Sequence, residues 1–415
     1  MSDIEVYLDW QGECRPVGLL RRQPGRGRET VSFVYDDHWI NARDSFSIDA
    51  SLSVSRGTYV PGPNQEMFGT LGDSAPDQWG RRLMRRAERR QAEREGRAVR
   101  TLFEADYLLG VVDDTRLGAL RFKFAGEKQF QAPTSTGVPS VIELGKLLGI
   151  TERVLRDEET DEDLLMIFAP GSSLGGARPK ASIIDQYGKL AIAKFPKETD
   201  EYSIEVWEEV ALRLAKQAGI YTATHSLVKV AGKPVVLSQR FDRNEQGRIP
   251  FMSAMSMTGS IDGEGGSYLD IVDALSEFGA QAKNDRIELF RRMVFNVLIS
   301  NVDDHLRNHG FLMLGSNGWT LSPAYDLNPT PQDLKPRILT TNIDFDEGTC
   351  SIELVREVAS FFGLNKASAD QIISEVASAT NCWRDVATAV GARPAEIRRM
   401  DSAFEHEDLE MALNL

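Results

Sequence analysis

Cysteine is scarce in this chain of 415 residues. The three cysteines are Cys14, Cys350 and Cys382, and no two of them form a CxxC motif. A small and odd number of thiols argues against a disulfide framework, and the lack of a cysteine and histidine cluster argues against a cysteine zinc site. Reduced thiols are typical of the cytoplasm, so we expect a cytoplasmic protein.

Long apolar runs are also missing. No segment approaches the roughly 20 apolar residues that a membrane helix needs, and the acidic start, MSDIEVYLDWQGE, lacks the apolar core of a secretion signal. We therefore expect no membrane partner. Positive charge is in deficit as well, because 48 lysines and arginines face 62 aspartates and glutamates, a net charge of −14. This balance argues against general polyanion binding, although a local basic patch stays open.

The length of the chain favours two or three domains. The stretches IEVYLDW, CRPVGLL, VSFVYD and FSIDASL predict strands of a small, mostly antiparallel sheet within residues 1–60. Residues 126–140 are rich in Gly, Pro and Ser and read as a linker. We expect one domain over residues 1–125, a second over 140–245 and a mostly helical third over 246–415.

An arginine-rich helix is predicted from the segment GDSAPDQWGRRLMRR onward. Ser74 is its expected N-cap, with Pro76 in the first turn. Seven arginines recur at helical spacing between residues 81 and 94. Two interpretations are open: a solvated face that pairs with acidic neighbours, or a surface for an acidic partner or nucleic acid.

A glycine- and serine-rich loop leads into a hairpin. In APGSSLGGARPKASII, residues 169–184, glycines would let backbone N–H groups approach phosphate oxygens. The segment is not a GxxxxGK[ST] P-loop, and an ordinary turn is the alternative. KASIID and LAIAKF then predict two strands, the second of which ends at Lys194. The helix expected over about 203–218 carries Glu208, which could pair with Lys194 as in protein kinases, with Glu205 and Glu209 as rivals.

A further strand, PVVLSQRFDRN over residues 234–244, turns polar within two residues. In a two-lobed kinase such a strand leads into the hinge that reads adenine, with Phe241 near the base. A core strand that ends in a charged turn is an equally good interpretation.

The polar stretch NVDDHLRNHG, residues 301–310, follows an amphipathic helix predicted over about 285–299. Asp303 and Asn308 have the D-x-x-x-x-N spacing of the protein-kinase catalytic loop, where the aspartate accepts the hydroxyl proton and the asparagine binds Mg²⁺. After a predicted hairpin, Asp326 stands where a kinase places a second Mg²⁺ ligand. We interpret Asp304 and Arg307 as solvated neighbours, and His305 as a residue that orients the loop or touches phosphate.

Two other interpretations of this stretch are open. Asp303, Asp304 and His305 could ligate a metal in a hydrolase. Alternatively, the stretch could be only a polar helix end at the surface. His225 and His309 are expected to be structural.

The ordered set SSLGGARPKA, AIAKF, EEVALRLAKQAGI, LSQRFDR, NVDDHLRN and SPAYDLNP resembles the HipA family of bacterial serine/threonine kinase toxins. These motifs span residues 170–330, and LGDSAPDQWGRRLM resembles the family's N-terminal part. The resemblance implies an α+β, bilobal, protein-kinase-like fold with an extra β-rich N-terminal subdomain and a mostly α-helical C-terminal lobe. It also implies dependence on ATP and Mg²⁺.

The resemblance further implies roles for individual residues. Asp303 matches the catalytic base, Asn308 and Asp326 match the metal ligands, and Glu208 matches the supporting ion-pair partner. Ser173 matches the autophosphorylated serine, with Ser172 as the alternative. The nucleotide-binding residues would be Gly175, Gly176, Ala177, Arg178, Pro179, Lys180, Lys194, Gln239, Arg240, Phe241, His305, Asn308, Tyr325 and Asp326.

The family also implies partners. Its usual substrate is an aminoacyl-tRNA synthetase, typically glutamyl-tRNA synthetase. Its antitoxin is a small helix-turn-helix protein, HipB-like, through which the kinase sits on operator DNA. Two alternatives remain: a small-molecule kinase, and a catalytically weak co-repressor partner of a DNA-binding antitoxin.

Overall fold

The computed structural model describes residues 3–132, 137–168 and 176–415. The chain forms two compact units, Met1–Lys197 with Lys229–Met252, and Glu198–Val228 with Ser253–Leu415. The domains expected over 1–125 and 140–245 thus fall largely in the first unit, while the helix expected over 203–218 belongs to the second. Within the described ranges, no helix has both the length and the apolar character that crossing a membrane requires.

The first unit is mixed α and β. Its strands are β1 (Ile4–Trp10), β2 (Glu13–Pro24), β3 (Glu29–Tyr35), β4 (Leu120–Phe124), β5 (Lys180–Ile184), β6 (Leu190–Lys194), β7 (His225–Val230, whose last two residues belong here), β8 (Lys233–Gln239), β9 (Arg243–Asn244), β10 (Gly247–Arg248) and β11 (Phe251–Ser253, which ends at the unit boundary). Its helices are α1 (Asp37–Asn41), α2 (Gly69–Asp73), α3 (Gln78–Arg94), α4 (Glu104–Gly110), α5 (Leu144–Leu155) and α6 (Asp161–Phe168).

The N-terminal sheet has the order β3-β2-β1-β4, and its neighbouring strands pair antiparallel. In β1 the residues Ile4, Val6, Leu8 and Trp10 are buried and alternate with half-buried ones. This period of two places one face of the strand on the core. Three of the four strands predicted within residues 1–60 are thereby confirmed.

The fourth predicted strand, FSIDASL, is wrong, because residues 46–52 form turns. The carboxylate of Asp49 is buried and accepts hydrogen bonds from the backbone N–H groups of Ser51 (2.9 Å) and Thr70 (2.7 Å). An aspartate that bonds the backbone two residues on favours a turn over a strand.

The second sheet has the order β5-β6-β8-β7. The predicted hairpin is confirmed, since β5 and β6 pair antiparallel from Lys180 opposite Lys194 to Ile184 opposite Leu190. Strand β6 pairs in turn with β8. The two lysines therefore stand side by side at the start of β5 and the end of β6.

Most of the arginines of helix α3 have acidic partners within the first unit. Arg81 binds Glu104, Arg86 binds Glu159 and Asp157, and Arg94 binds Asp161. The interpretation of a face paired with acidic neighbours is therefore confirmed for these arginines. The predicted N-cap at Ser74 is wrong: Ser74 follows α2, and Asp77 caps α3.

The second unit is mostly helical. Its elements are α7 (Ile204–Gln217), α8 (Ala254–Thr258), α9 (Tyr268–Phe278), α10 (Ala282–Leu298), β12 (Gly310–Met313), β13 (Trp319–Leu321), α11 (Ile352–Val358), α12 (Lys366–Thr380), α13 (Trp383–Val390), α14 (Pro394–Arg399), α15 (Asp401–Phe404) and α16 (Glu407–Leu413). Its core includes the fully buried Trp207, Trp383 and Phe404, and the last two rings stack at 4.7 Å. The predicted β12–β13 hairpin is confirmed, since the two strands pair antiparallel.

Candidate active site

The polar stretch 301–310, called the 301–310 loop below, leaves the end of a buried helix. Phe290, Met293, Val294 and Val297 of α10 are fully buried, as their helical spacing predicts. Ser300 then adopts a left-handed backbone (φ 52°), which turns the chain sharply away from the helix axis. The loop therefore begins directly after a buried helix and not after a long connecting segment.

Asp303 and Asn308 take different positions in this loop. The Asp303 side chain is 66 % exposed, whereas Asn308 is buried. The Asn308 amide group donates to the backbone carbonyl of Asp303 (3.2 Å), and its backbone N–H donates to the carbonyl of His305 (2.7 Å). The buried Oδ1 of Asn308 has no hydrogen-bond partner among the described residues. A buried acceptor without a hydrogen-bond partner lowers the stability of the fold unless a bound ligand supplies the missing interaction.

Asp326 lies five residues after β13 and also has a left-handed backbone, φ 58°. This conformation is uncommon for a residue with a side chain and is often found at functional sites. The amide group of Asn328 donates to its Oδ1 (3.1 Å). The Tyr325 hydroxyl donates to the carbonyl of Arg307 (2.7 Å). This hydrogen bond thus joins the residue before Asp326 to the residue before Asn308.

Asp304 was expected to be a solvated neighbour, and this expectation is wrong: Asp304 is 1 % exposed. Its Oδ2 accepts from the Tyr268 hydroxyl (2.5 Å) and lies 3.0 Å from Nε2 of His309. Burial, together with the Asp304 charge, raises the pKa of Tyr268 well above its usual value, so the phenol stays a donor. Asp304 therefore anchors the loop, and the structural role expected for His309 agrees with this contact.

The polar network continues beneath the loop. The Asn296 amide donates to the Tyr268 hydroxyl (2.9 Å), and Oδ1 of Asn296 accepts from the Asn301 amide (3.0 Å). Oδ1 of Asn301 in turn accepts from the backbone N–H of Asn328 (3.1 Å). A buried network of this kind fixes geometry when its members are satisfied. It ties the 301–310 loop to the segment that carries Asp326.

Lys335 is a site residue that sequence reasoning missed. Its Nζ lies 3.3 Å from Oδ1 of Asp303, and its side chain is 55 % exposed. An exposed pair of this kind adds little stability. It does place a positive charge beside the one exposed carboxylate of the loop. Lys335 is 32 residues downstream in QDLKPR, and no spacing rule points to it.

His305 and Arg307 occupy the remaining loop positions. Nδ1 of His305 is buried and has no hydrogen-bond partner in the described part of the chain. The guanidinium of Arg307 lies 3.6 Å from Oδ2 of Asp262, and both side chains are exposed. The expectation that Arg307 is a solvated neighbour agrees with this exposure, and a phosphate contact by His305 stays a prediction.

The residues present fit a Mg²⁺ ion that is bound together with phosphate. Asn308 offers a buried, bare oxygen, and Asp326 offers a half-buried carboxylate. Among the described residues, no group of three or more His, Cys, Asp or Glu side chains could hold a metal without further ligands. Mg²⁺ is usually bound by one or two carboxylates plus substrate phosphates and waters, so a sparse oxygen set is what it requires.

The glycine-rich loop of the first unit is described only from Gly176 onward; the predicted site residues Ser172, Ser173 and Gly175 lie outside the described residues. Gly176 has a left-handed backbone (φ 69°), and Nζ of Lys180 donates to its carbonyl (3.3 Å). Lys180 and Lys194 are both buried. The structure therefore brings two predicted phosphate-binding lysines together on one sheet.

Helix α7 in the second unit carries three buried glutamates: Glu205, Glu208 and Glu209. Glu209 is engaged by Arg213 (2.7 Å) and by Nδ1 of His225 (2.8 Å). Burial alone would raise the pKa of Glu209, but these two partners lower it. This pairing makes Glu209 a weaker rival for the expected lysine partner, and the pair of Lys194 with Glu208 stays a prediction.

The predicted hinge residues are built into a charged cluster. The Gln239 amide donates to Asp185 (2.8 Å), and the fully buried Arg240 forms a bidentate pair with Asp242. Arg243 and the backbone N–H of Gly118 also donate to Asp242. Burial would raise the pKa of Asp242, but the charges of Arg240 and Arg243 outweigh it and hold the pKa at about 2.

This cluster limits which hydrogen-bond donors the predicted hinge residues can offer a ligand. The backbone N–H of Arg240 donates to the carbonyl of Leu190 (2.9 Å), and its guanidinium contacts the carbonyls of Thr115 and Arg116. The ring of Phe241 packs near that of Phe251, with centroids 6.1 Å apart. Arg240 is thus a structural link to the N-terminal sheet region, and adenine recognition by residues 239–241 stays a prediction.

Two family models match the chain. The model described as the HipA-like C-terminal domain covers residues 172–383, about half of the chain, and the model described as the HipA N-terminal domain covers residues 6–105. Both matches include elements described above, the second sheet with the 301–310 loop in one case and β1 to α3 in the other.

A solved structure of similar fold is the HipA, HipB and operator DNA complex of the Shewanella oneidensis MR-1 toxin–antitoxin system. The identity is 18 %, the TM-score is 0.66, and the alignment covers 99 % of this chain and 96 % of that one. At this identity the likeness shows the fold alone, an α+β architecture shared with that HipA chain, which confirms the fold class expected from the sequence.

Two curated relatives are named as candidate kinases. The protein of Haemophilus influenzae is 24 % identical over 197 residues, which are 41 % of this chain and 57 % of that protein. The candidate kinase Y4mE of Sinorhizobium fredii is 27 % identical over 194 residues, 40 % of this chain and 44 % of that protein. The matched region thus spans about half the length of each relative.

Proposed function

The chain belongs to the HipA family, and from this premise we propose that it is an ATP- and Mg²⁺-dependent protein serine/threonine kinase that acts as the toxin of a toxin–antitoxin pair. The names of its relatives support kinase activity. The observation that carries the proposal is the bare, buried Oδ1 of Asn308, whose amide is fixed on the backbone of Asp303. This oxygen lacks a partner that a metal ion would supply.

In the proposed reaction Asp303 is the general base. Its exposed carboxylate would accept the proton of a serine or threonine hydroxyl as that oxygen attacks the γ-phosphorus of ATP. The bond from the γ-phosphorus to the bridging oxygen breaks, and ADP leaves. The Nζ atom of Lys335 lies 3.3 Å from Oδ1 of this carboxylate and would help to orient it toward the hydroxyl.

Asn308 and Asp326 would hold Mg²⁺ through their side-chain oxygens. The ion, when bound, neutralises charge that develops on the phosphates. The chain's own contribution is rigidity, since the Tyr325 hydroxyl and the Asn301 side chain fix the two metal-binding segments relative to each other. Lys180 and Lys194 would bind phosphates of ATP, as their shared burial and the neighbouring glycine support.

The partners are proposed from the family. We place a protein of translation, an aminoacyl-tRNA synthetase with glutamyl-tRNA synthetase as the first choice, as substrate. A helix-turn-helix antitoxin would bind the kinase and bring it to operator DNA; the presence of HipA, HipB and operator DNA in one Shewanella complex supports this proposal. Autophosphorylation at Ser173, or at Ser172, would add about 1.5 to 2 negative charges to the loop before Lys180 and switch the kinase off.

The test compares Asp303→Asn with Asp346→Asn. Transfer of the γ-phosphate to the chain itself and to glutamyl-tRNA synthetase is measured with labelled ATP. Asp303→Asn should lower the rate by about 10²–10⁴, the usual contribution of a general base. Asp346 is an exposed carboxylate of the same unit, so its variant should keep the wild-type rate.

Equal rates in the Asp303 variant and the wild type would refute the assignment of the base. Phosphate transfer to small molecules but to neither the chain nor a protein would instead favour a small-molecule kinase. Absence of Mg²⁺-dependent ATP binding in calorimetry would favour the co-repressor alternative.

A further inference from the structure

We infer that Asp77, the first residue before helix α3, is a positioning residue for nucleotide binding that holds Lys180 in place. This inference rests on the proposed binding of ATP. It makes the N-terminal region of the chain part of the phosphate-binding apparatus, although Asp77 itself lies about one hundred residues before Lys180 and is expected to touch no substrate.

Asp77 uses its two carboxylate oxygens for two different tasks. Oδ1 accepts from the backbone N–H of Gly80 (2.9 Å) and caps helix α3. Oδ2 accepts from Nζ of Lys180 (2.6 Å). The Lys180 and Asp77 side chains are 3 % and 6 % exposed. A buried ion pair stabilises a protein only when its hydrogen-bond geometry is good. The short, charge-assisted hydrogen bond between Lys180 and Asp77 meets this requirement.

Helix α3 also holds the backbone of Lys180. The indole N–H of Trp79 donates to the Lys180 carbonyl (3.1 Å). Trp79 is 3 % exposed and packs in an apolar cluster of the first unit. The other buried members of this cluster are Leu83, Ile150, Val154, Leu164 and Ile167. The first residue of β5 is therefore tied to a rigid helix through both its side chain and its main chain.

The position of Lys180 explains why its ammonium group needs a fixed acidic partner. It stands opposite Lys194 in the β5–β6 pair, and like charges directly opposite each other repel. Its ammonium group also reaches the carbonyl of Gly176, at the end of the glycine-rich loop (3.3 Å). Asp77 offsets one positive charge and directs the ammonium group, so a phosphate meets a lysine that is already oriented.

The main test is Asp77→Asn in the full chain. Asparagine is a good N-cap, so the helix should survive, but the amide removes the negative charge at Lys180. Calorimetry would measure the Kd of ATP with Mg²⁺ and the Kd of adenosine, which has no phosphates. We expect the Kd of ATP to rise about tenfold, since a charge-assisted hydrogen bond is typically worth that much, with the Kd of adenosine unchanged.

A double-mutant cycle with Lys180→Met shows whether Asp77 acts through the lysine. If it does, Asp77→Asn should have no further effect on ATP binding once Lys180 is gone. Asp36→Asn is the matched control, because Asp36 caps helix α1 in the same unit through the N–H of His38 (2.8 Å). This variant should bind both ligands like the wild type.

Trp79→Phe serves if Asp77→Asn fails to fold. It removes the indole N–H that holds the Lys180 carbonyl and keeps an aromatic ring in the cluster, so it should weaken ATP binding selectively and by a smaller factor. Equal ATP affinity in wild type and Asp77→Asn would overturn the inference, as would parallel changes for ATP and adenosine or additive effects in the cycle. A wild-type chain that binds no ATP would refute the proposed function itself.

Discussion

The β5–β6 hairpin with the predicted hinge residues 239–241, and the 301–310 loop, are held in place by different kinds of interaction. In the first unit the supports are buried ion pairs, Lys180 with Asp77 and Arg240 with Asp242. In the second unit they are neutral hydrogen bonds through Asn296, Asn301 and Tyr268, with the carboxylate of Asp304 at one end.

Polar groups in the interior are therefore stabilised in two ways, by ion pairs in the first unit and mainly by neutral hydrogen bonds in the second. Ion pairs tolerate burial only while both partners are present, because one uncompensated charge is expensive. A neutral network loses less when one member is removed, since each missing hydrogen bond costs only its own share. The two regions should therefore respond to mutation and to acid in different ways.

The largest effect is expected for Asp242→Asn. This change leaves the buried Arg240 and the partly buried Arg243 without their carboxylate, and breaking a buried pair in this way typically costs about 3–5 kcal/mol. Denaturant unfolding would give the change in free energy. Asp37→Asn is the control, because the Arg56–Asp37 pair is mostly exposed and should contribute less than about 1 kcal/mol. Equal effects of the two variants would remove the distinction between buried and surface pairs.

A somewhat smaller loss is expected for Asp304→Ala. The Tyr268 hydroxyl and His309 would lose a shared acceptor, at a cost of about 3–4 kcal/mol for two buried donors. Asp303→Ala tests the neighbouring aspartate, which is exposed and should change the free energy of unfolding by only about 0.5 kcal/mol while lowering the rate of phosphate transfer by about 10²–10⁴. If both alanine variants are equally stable, Asp304 does not anchor the loop.

The smallest effect, about 3 kcal/mol or less, is expected from acid. Burial, together with the charge of Arg337, lowers the pKa of His406 to about 4, against an ordinary value of 6.5. The unfolded chain therefore takes up this proton first, and stability in the second unit should fall as the pH drops from about 6.5 to about 4. Calorimetry on wild type and His406→Asn should show the fall only in the wild type.

The first unit should respond at lower pH. Hydrogen bonds from Arg153 hold the pKa of Asp163 at about 2, below its ordinary 3.8, so its stabilising contribution is present above pH 3.8 and is lost as the pH falls toward 2. Hydrogen exchange at several pH values, corrected for the intrinsic rate, would locate each loss. Because Arg153 lies in α5 and Asp163 in α6, loosening of these two helices at a higher pH than α16 would contradict the expected order.

Much of the fold was predictable because period and turn chemistry are local. The alternation in β1, the β5–β6 hairpin, α10 and the β12–β13 hairpin all lie where the sequence places them. The failures occurred where a distant group decided the outcome. The carboxylate of Asp49, within the turns of residues 46–52, accepts from the distant Thr70 as well as from the local Ser51, and the carboxylate of Asp77 accepts from the distant Lys180 as well as from Gly80.

The candidate site divides in the same way. Order and spacing along the chain predicted Asp303, Asn308 and Asp326 as a set, and the ordered motifs determined the family. Only the tertiary structure decided that, of the adjacent Asp303 and Asp304, the first is exposed and the second buried. The physical reason is that burial of a carboxylate requires donors, and Tyr268 comes from a helix 36 residues away, beyond the reach of any local pattern.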